Sequence, residues 1–182
     1  IVSGTVTITN KITDSTVTKT VTKVWNDNNN QAGLRPSSIT VQLKANGCNY
    51  GSAVTLSAAN NWTYAWSDLP AKDCGSTITY TVAETSTVNE YTTTYSADTF
   101  TITNTLIYYQ FHVLKVSSES SQEVLSGASF KLEKLTNAGT VDPTFTAITG
   151  TTGSNGILSF SNLTAGKYRL TETAAPAGYV NA

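Results

Sequence analysis

The run Thr5-Val-Thr-Ile-Thr-Asn10 occurs again as Thr99-Phe-Thr-Ile-Thr-Asn104, and this repeat restricts the possible folds more than any other feature of the chain. Each copy alternates threonine with apolar residues, the two-residue period of a half-buried strand. Each ends in Asn, and each is followed by a short connection to another β-rich run that carries a lysine, Lys23 in one case and Lys115 in the other. A repeated strand, linker and strand predicts stacked modules. The second copy falls mid-chain, where a first domain should close. The first copy lies ahead of any domain it could close, so it reads as the last strand of some other domain.

The remaining pattern is also β. Alternating runs at Thr16–Trp25, Ile39–Lys44, Ala53–Leu56, Trp62–Trp66, Ile78–Glu84 and Tyr91–Tyr95 precede the strand Thr99–Asn104. A second series follows at Phe111–Val116, Ala128–Leu135, Ile157–Phe160 and Gly166–Glu172, with turns at Asp142-Pro143 and Gly150–Gly156. No helix longer than a turn is predicted. Short strands at such spacing predict an all-β chain of two tandem immunoglobulin-like, antiparallel sandwiches over 13–107 and 108–182, with a separate donor strand at 1–12. The length of 182 residues accommodates two small domains.

Only 13% of residues are charged and the net charge is -1, which supplies no basic field for nucleic acid or anionic lipid. No apolar run approaches the roughly 18 residues of a membrane span, and no signal peptide is expected. Without a Met in the chain, Ile1 is read as other than a translation start, and the sequence as a mature or excised segment. Cys48 and Cys74 fall in two predicted loops. One thiol in each loop suits a disulfide, in an oxidising location, better than a metal site that needs more ligands. Such a bond would stabilise the fold by about 3 kcal/mol.

Each module also places a Lys on an early strand and a Glu on a late one within apolar alternation: Lys23 with Glu84, and Lys115 with Glu172. From the residues alone this is a buried ion pair. The stretch Thr22–Gln31 through Leu34-Arg-Pro36, with Asn61-Trp-Thr-Tyr-Ala-Trp66 and Ile102-Thr-Asn104, resembles a collagen-adhesin B-type (Cna B-type) domain. Leu170-Thr-Glu-Thr-Ala-Ala-Pro-Ala-Gly-Tyr179 resembles the E-box of Gram-positive pilins. The resemblance implies an autocatalytic isopeptide bond between Lys and Asn side chains, assisted by a buried acid. Carried onto this chain, it implies a bond from Lys23 to Asn104 with Glu84 as the acid. Burial disfavours both charged forms, leaving a neutral amine to attack and a protonated acid to polarise the Asn carbonyl.

The second module has Lys115 and Glu172, but Asn181 stands too close to Glu172 to lie on a new strand. Glu84 precedes Asn104 by 20 positions; Glu172 precedes Ala182 by 10, and Asn10 lies 10 from the start, so joining two copies end to end restores the spacing. Self-completion looks strained, because residues 11–16 reach only about 20 Å when extended, the span that a strand of the intervening sandwich already occupies. Donor-strand complementation is therefore expected, with Asn10 bonded to Lys115 of the next copy in a head-to-tail filament. The alternative is an excised piece of a tandem array.

Other signals are set aside. Asp27–Gln31 is read as a solvated loop, because a calcium loop needs its Gly and terminal Glu elsewhere. Asn61-Trp-Thr63 and Asn162-Leu-Thr164 are glycosylation sequons by pattern, although a bacterial chain usually leaves them bare. His112 reads as a packed or edge residue, and the Trp62, Tyr64 and Trp66 stripe as core rather than a glycan platform. No sortase motif is visible. These readings lead to a structural subunit of an extracellular Gram-positive pilus or adhesin stalk, non-enzymatic apart from single-turnover self-cross-linking. No cofactor or metal is expected, and the partners would be identical subunits. The competing function is a ligand-binding adhesin module for a matrix protein or glycan.

Overall fold

The computed structural model describes residue 4, residues 15–119 and residues 121–180. The repeat copy Thr5–Asn10, and with it the expected donor Asn10, lies outside the described residues. The chain divides between Leu106 and Ile107 into two units.

In the first unit, β1 (Thr16–Asn26), β2 (Ser38–Ala45), β3 (Cys48–Asn49), β4 (Val54–Ser57) and β5 (Thr63–Pro70) are followed by the small hairpin β6 (Lys72–Asp73) and β7 (Ser76–Thr77). β8 (Tyr80–Glu84), β9 (Tyr91–Tyr95) and β10 (Thr101–Leu106) complete it. One sheet runs β5-β1-β10-β9; the other has β2 flanked by β3 and β4 on one side and β8 on the other. Val21 and Ile102 from the first sheet meet Ile39, Val41, Leu43, Leu56 and Val82 from the second in one apolar core. The wholly antiparallel expectation needs one correction. β1 and β10 are parallel, with Lys23 opposite Ile102, so the first and last strands of the unit lie side by side.

The second unit comprises β11 (Tyr109–Leu114), β12 (Ser129–Leu135), β13 (Ile148–Thr151), β14 (Ile157–Leu163) and β15 (Lys167–Ala174). β11 pairs with β14, while the facing sheet runs β13-β12-β15. Phe130 and Leu132 of one sheet pack on Phe160 and Leu163 of the other. β13 was not predicted. It is four residues long and its Gly150 breaks the alternation; the Leu158 side chain packs directly over that glycine, where a Cβ would lie 2.6 Å from Leu158 Cδ1.

Two further expectations change. Cys48 and Cys74 are free, exposed thiols rather than the expected disulfide. Cys48 opens β3, whereas Cys74 occupies the tip of the β6–β7 hairpin in a left-handed conformation. The aromatic stripe is split. Trp62 and Trp66 pack against the core, but Tyr64 is exposed and lies edge-on to Trp66 because β5 is the outer strand of its sheet.

Candidate functional site

Alternation along three strands brings polar side chains to one point in the first core. β1 turns Val21 and Lys23 inward between Thr22 and Val24, and β10 does the same with Ile102 and Asn104. In the parallel register Asn104 lies two residues beyond the partner of Lys23, hence on the same face. From the opposite sheet, β8 presents Tyr80, Val82 and Glu84.

Lys23 Nζ donates to Glu84 Oε2 at 2.7 Å, and Asn104 Nδ2 donates to Glu84 Oε1 at 3.2 Å. One carboxyl group thus holds both residues. The Lys23 and Glu84 side chains are 0% and 2% exposed, and Asn104 is 0% exposed. Burial holds the Lys23 amine below the usual lysine pKa, and outweighs the hydrogen bond and charge of Glu84, which act the other way. Desolvation of this kind favours the neutral, nucleophilic amine.

Asn104 Oδ1 is buried with no hydrogen-bond partner among the described residues. An orphaned carbonyl of this sort costs about 1–3 kcal/mol. A half-turn of the amide exchanges its oxygen and nitrogen. A protonated Glu84 could then donate to Oδ1 and draw electron density from Cγ, the atom an amine would attack. Trp25 roofs the site, its ring centroid 4.8 Å from Lys23 Nζ, and is itself held edge-on by Trp62 and Tyr91 at 5.1 and 5.2 Å.

Beside this roof lies a network the sequence reading missed. Asp27, assigned there to a solvated loop, is 2% exposed. It accepts two bonds from Arg35, at 2.9 Å from Nε and 2.6 Å from Nη2, one from the Tyr91 hydroxyl at 3.0 Å and one from the Asn30 amide at 3.0 Å. The Arg35 hydrogen bonds are the main reason the Asp27 carboxyl sits below its usual pKa. The loop closes over its own acid because an arginine eight residues on reaches back to pair with it. The signal available in the sequence was the spacing of Asp27, Arg35 and Pro36 within the motif that carried the family resemblance.

The second unit repeats two of the three parts. Lys115, just beyond the end of β11, donates from Nζ to Glu172 Oε2 at 2.9 Å. Glu172 lies on β15 opposite Phe130. Here the side chains are 18% and 14% exposed, and Glu172 Oε1, the counterpart of the oxygen that Asn104 occupies on Glu84, is buried and unpartnered among the described residues. The expected donor, Asn10, falls outside those residues. His112, exposed on β11, has Nδ1 2.7 Å from Ser159 Oγ.

Residues 19–105 match the family model described as the Cna protein B-type domain, and residues 109–182 the one described as a prealbumin-like fold domain. A collagen adhesin of Staphylococcus aureus is 48% identical over 92 residues, 50% of this chain and 8% of the adhesin. This chain therefore spans a small fraction of that relative. Among solved structures, two B repeat units of the collagen binding protein of S. aureus are 28% identical, covering 88% of this chain and 45% of that one, with a TM-score of 0.49. The TIE protein of Bacillus anthracis is 20% identical with a TM-score of 0.60, covering 91% and 29%.

Proposed function

Residues 19–105 belong to the Cna protein B-type domain family and residues 109–182 to the prealbumin-like fold family, and on that premise we propose that the chain is a load-bearing stalk segment of a Gram-positive surface pilus or adhesin, self-cross-linked by Lys–Asn amide bonds. Both are structural domains, and the chemistry is one self-modification per site rather than turnover. The observation that carries this reading is the single buried carboxyl group gripping Lys23 and Asn104 at 2.7 and 3.2 Å. Lys23 Nζ attacks Asn104 Cγ, the Cγ–Nδ2 bond breaks, and ammonia leaves with a proton taken from the amine through Glu84.

The topology explains what the bond would do. β1 and β10 are the first and last strands of the unit and parallel neighbours. A covalent tie between them passes tension from the chain entering the domain to the chain leaving it, bypassing the hydrogen-bonded sheets. Closing a loop of about 80 residues also restricts the unfolded chain, by about 4.5 kcal/mol on the chain-entropy account. In the second unit, Lys115 and Glu172 await an Asn, and Asn10 of another copy supplies it in a head-to-tail polymer. A second reading, in which flanking domains of one longer chain supply that strand, is favoured by the match to only 8% of the collagen adhesin.

Peptide mapping tests the first bond. The expected digest contains a branched fragment joining Lys23 to Asn104, and Glu84→Gln should slow its appearance by about 100-fold or more. Equal rates in both proteins would remove Glu84 from the chemistry. A denaturing gel separates the two readings of the second site: a ladder lost with Asn10→Ala supports the polymer, and an unchanged monomer supports the longer chain.

A further inference from the structure

Equivalent positions in the two units differ in a consistent direction. On β8 the inward residues are Tyr80, Val82 and Glu84; on β15 the same order is Tyr168, Leu170 and Glu172, set opposite Lys134, Leu132 and Phe130. Val82 is 5% exposed and packs in the core with Phe100 and Ile102 of the closing strand, whereas Leu170 is 38% exposed. The unpartnered Glu172 Oε1 and the partly exposed Lys115 lie in the same place. Among the described residues, the second unit therefore leaves Leu170 partly exposed and, two residues along β15, Glu172 Oε1 buried without a partner.

The edge on which cover can arrive is also fixed. Lys115 N–H donates to Gly156 O, and Lys115 O accepts from Leu125 N–H, both at 2.9 Å. That side is packed so tightly that a Cβ on Gly156 would lie 2.9 Å from Lys115 O. β11 pairs with β14 alone among the described residues. In the first unit, Lys23 N–H likewise points to the β5 side, to Trp62 O, while Thr22 N–H bonds Phe100 O on the β10 side. The amides of Leu114 and Val116 thus face the edge that β10 fills in the first unit.

We propose that this edge accepts a strand in one frame only: parallel to β11, with Ile8 of a second copy opposite Lys115 and Asn10 opposite Ser117. The frame is the β1–β10 register, Lys23 with Ile102 and Trp25 with Asn104, carried onto the repeated sequence. It sets Val6 and Ile8 over Leu170 and the core, and brings Asn10 to the free oxygen of Glu172. A slip of one residue would turn the threonines inward and the Asn outward. A slip of two would keep the face but move the Asn about 7 Å from its carboxylate. The bond formed is Lys115 Nζ to Asn10 Cγ, with ammonia leaving from Asn10 Nδ2. This inference rests on reading Lys115 as an intermolecular cross-linking residue.

The test uses the full chain carrying Asn10→Ala, so that its own strand cannot form the bond. It is mixed with a synthetic peptide of residues 1–12, or with the same peptide having Thr9 and Asn10 exchanged, or Ile8 and Asn10 exchanged. The native peptide should add its mass less about 17 Da, the ammonia released on acyl transfer to an amine. Addition should vanish with Lys115→Arg, and both exchanged peptides should react at least about 100-fold more slowly. Comparable reaction of the exchanged peptides overturns the frame and leaves Lys115 as a cross-linking residue. No addition of any peptide overturns the intermolecular bond itself.

Discussion

Two buried groups in the first unit each make stability rise with pH, in different pH windows. In Asn104→Ala the Lys23 amine has no amide to attack and stays buried. Because its pKa is lowered in the folded state, the unfolded chain binds more protons, and stability should rise with pH until the free amine also titrates near about 10.4. Urea unfolding of this variant across that range should show the rise, and the double variant Lys23→Met with Asn104→Ala should lack it; equal slopes would contradict the assignment. Asp27 acts in the same direction at lower pH, since its pKa is also depressed, chiefly by Arg35. Its contribution is complete above the ordinary carboxylate value of about 3.9 and is lost as pH falls through the lower folded value. Arg35→Leu strands a buried carboxylate and should cost about 3–5 kcal/mol at neutral pH, measured by denaturant unfolding. A loss under about 1 kcal/mol would mean that Asp27 is a surface pair after all.

At the scale of strands, the edge of β11 that carries the Leu114 amide, away from β14, makes a prediction about backbone protection. Thr22 N–H is bonded to Phe100 O inside a four-stranded sheet and should exchange slowly. Leu114 and Val116 N–H in the Asn10→Ala chain should exchange quickly, and become protected when the peptide of residues 1–12 is added. Protection before addition would show that the edge is already paired. Much of this layer was legible in the sequence, because threonine–apolar alternation marks a strand one residue at a time. Lys23, Glu84 and Asn104 could be placed on inward faces from that alternation. The pairing was not legible: nothing local in Thr99–Asn104 says that it lies parallel to β1, since register is decided by the sheet as a whole. Asp27 was misread because its partner sits eight residues away across a loop, where no periodicity connects them. Gly150 hid β13, since a residue without a side chain signals a turn until the packing of Leu158 against it is seen.

Taken whole, the molecule is two domains that each hold a lysine–carboxylate pair. Among the described residues, the first holds lysine, acid and asparagine together, and the second holds lysine and acid with a partly exposed leucine two residues from the acid. A stalk built this way would carry load through covalent ties, within each first domain and from each second domain to its neighbour. That account depends on Lys23 and Asn104 becoming one amide. Intact-mass measurement of the denatured Asn10→Ala chain, which cannot form the intermolecular bond, tests it most directly. The account predicts a mass about 17 Da below that of the sequence, restored by Lys23→Ala with the fold preserved. In that chain, a mass equal to that of its sequence, or a deficit that survives Lys23→Ala, would contradict it.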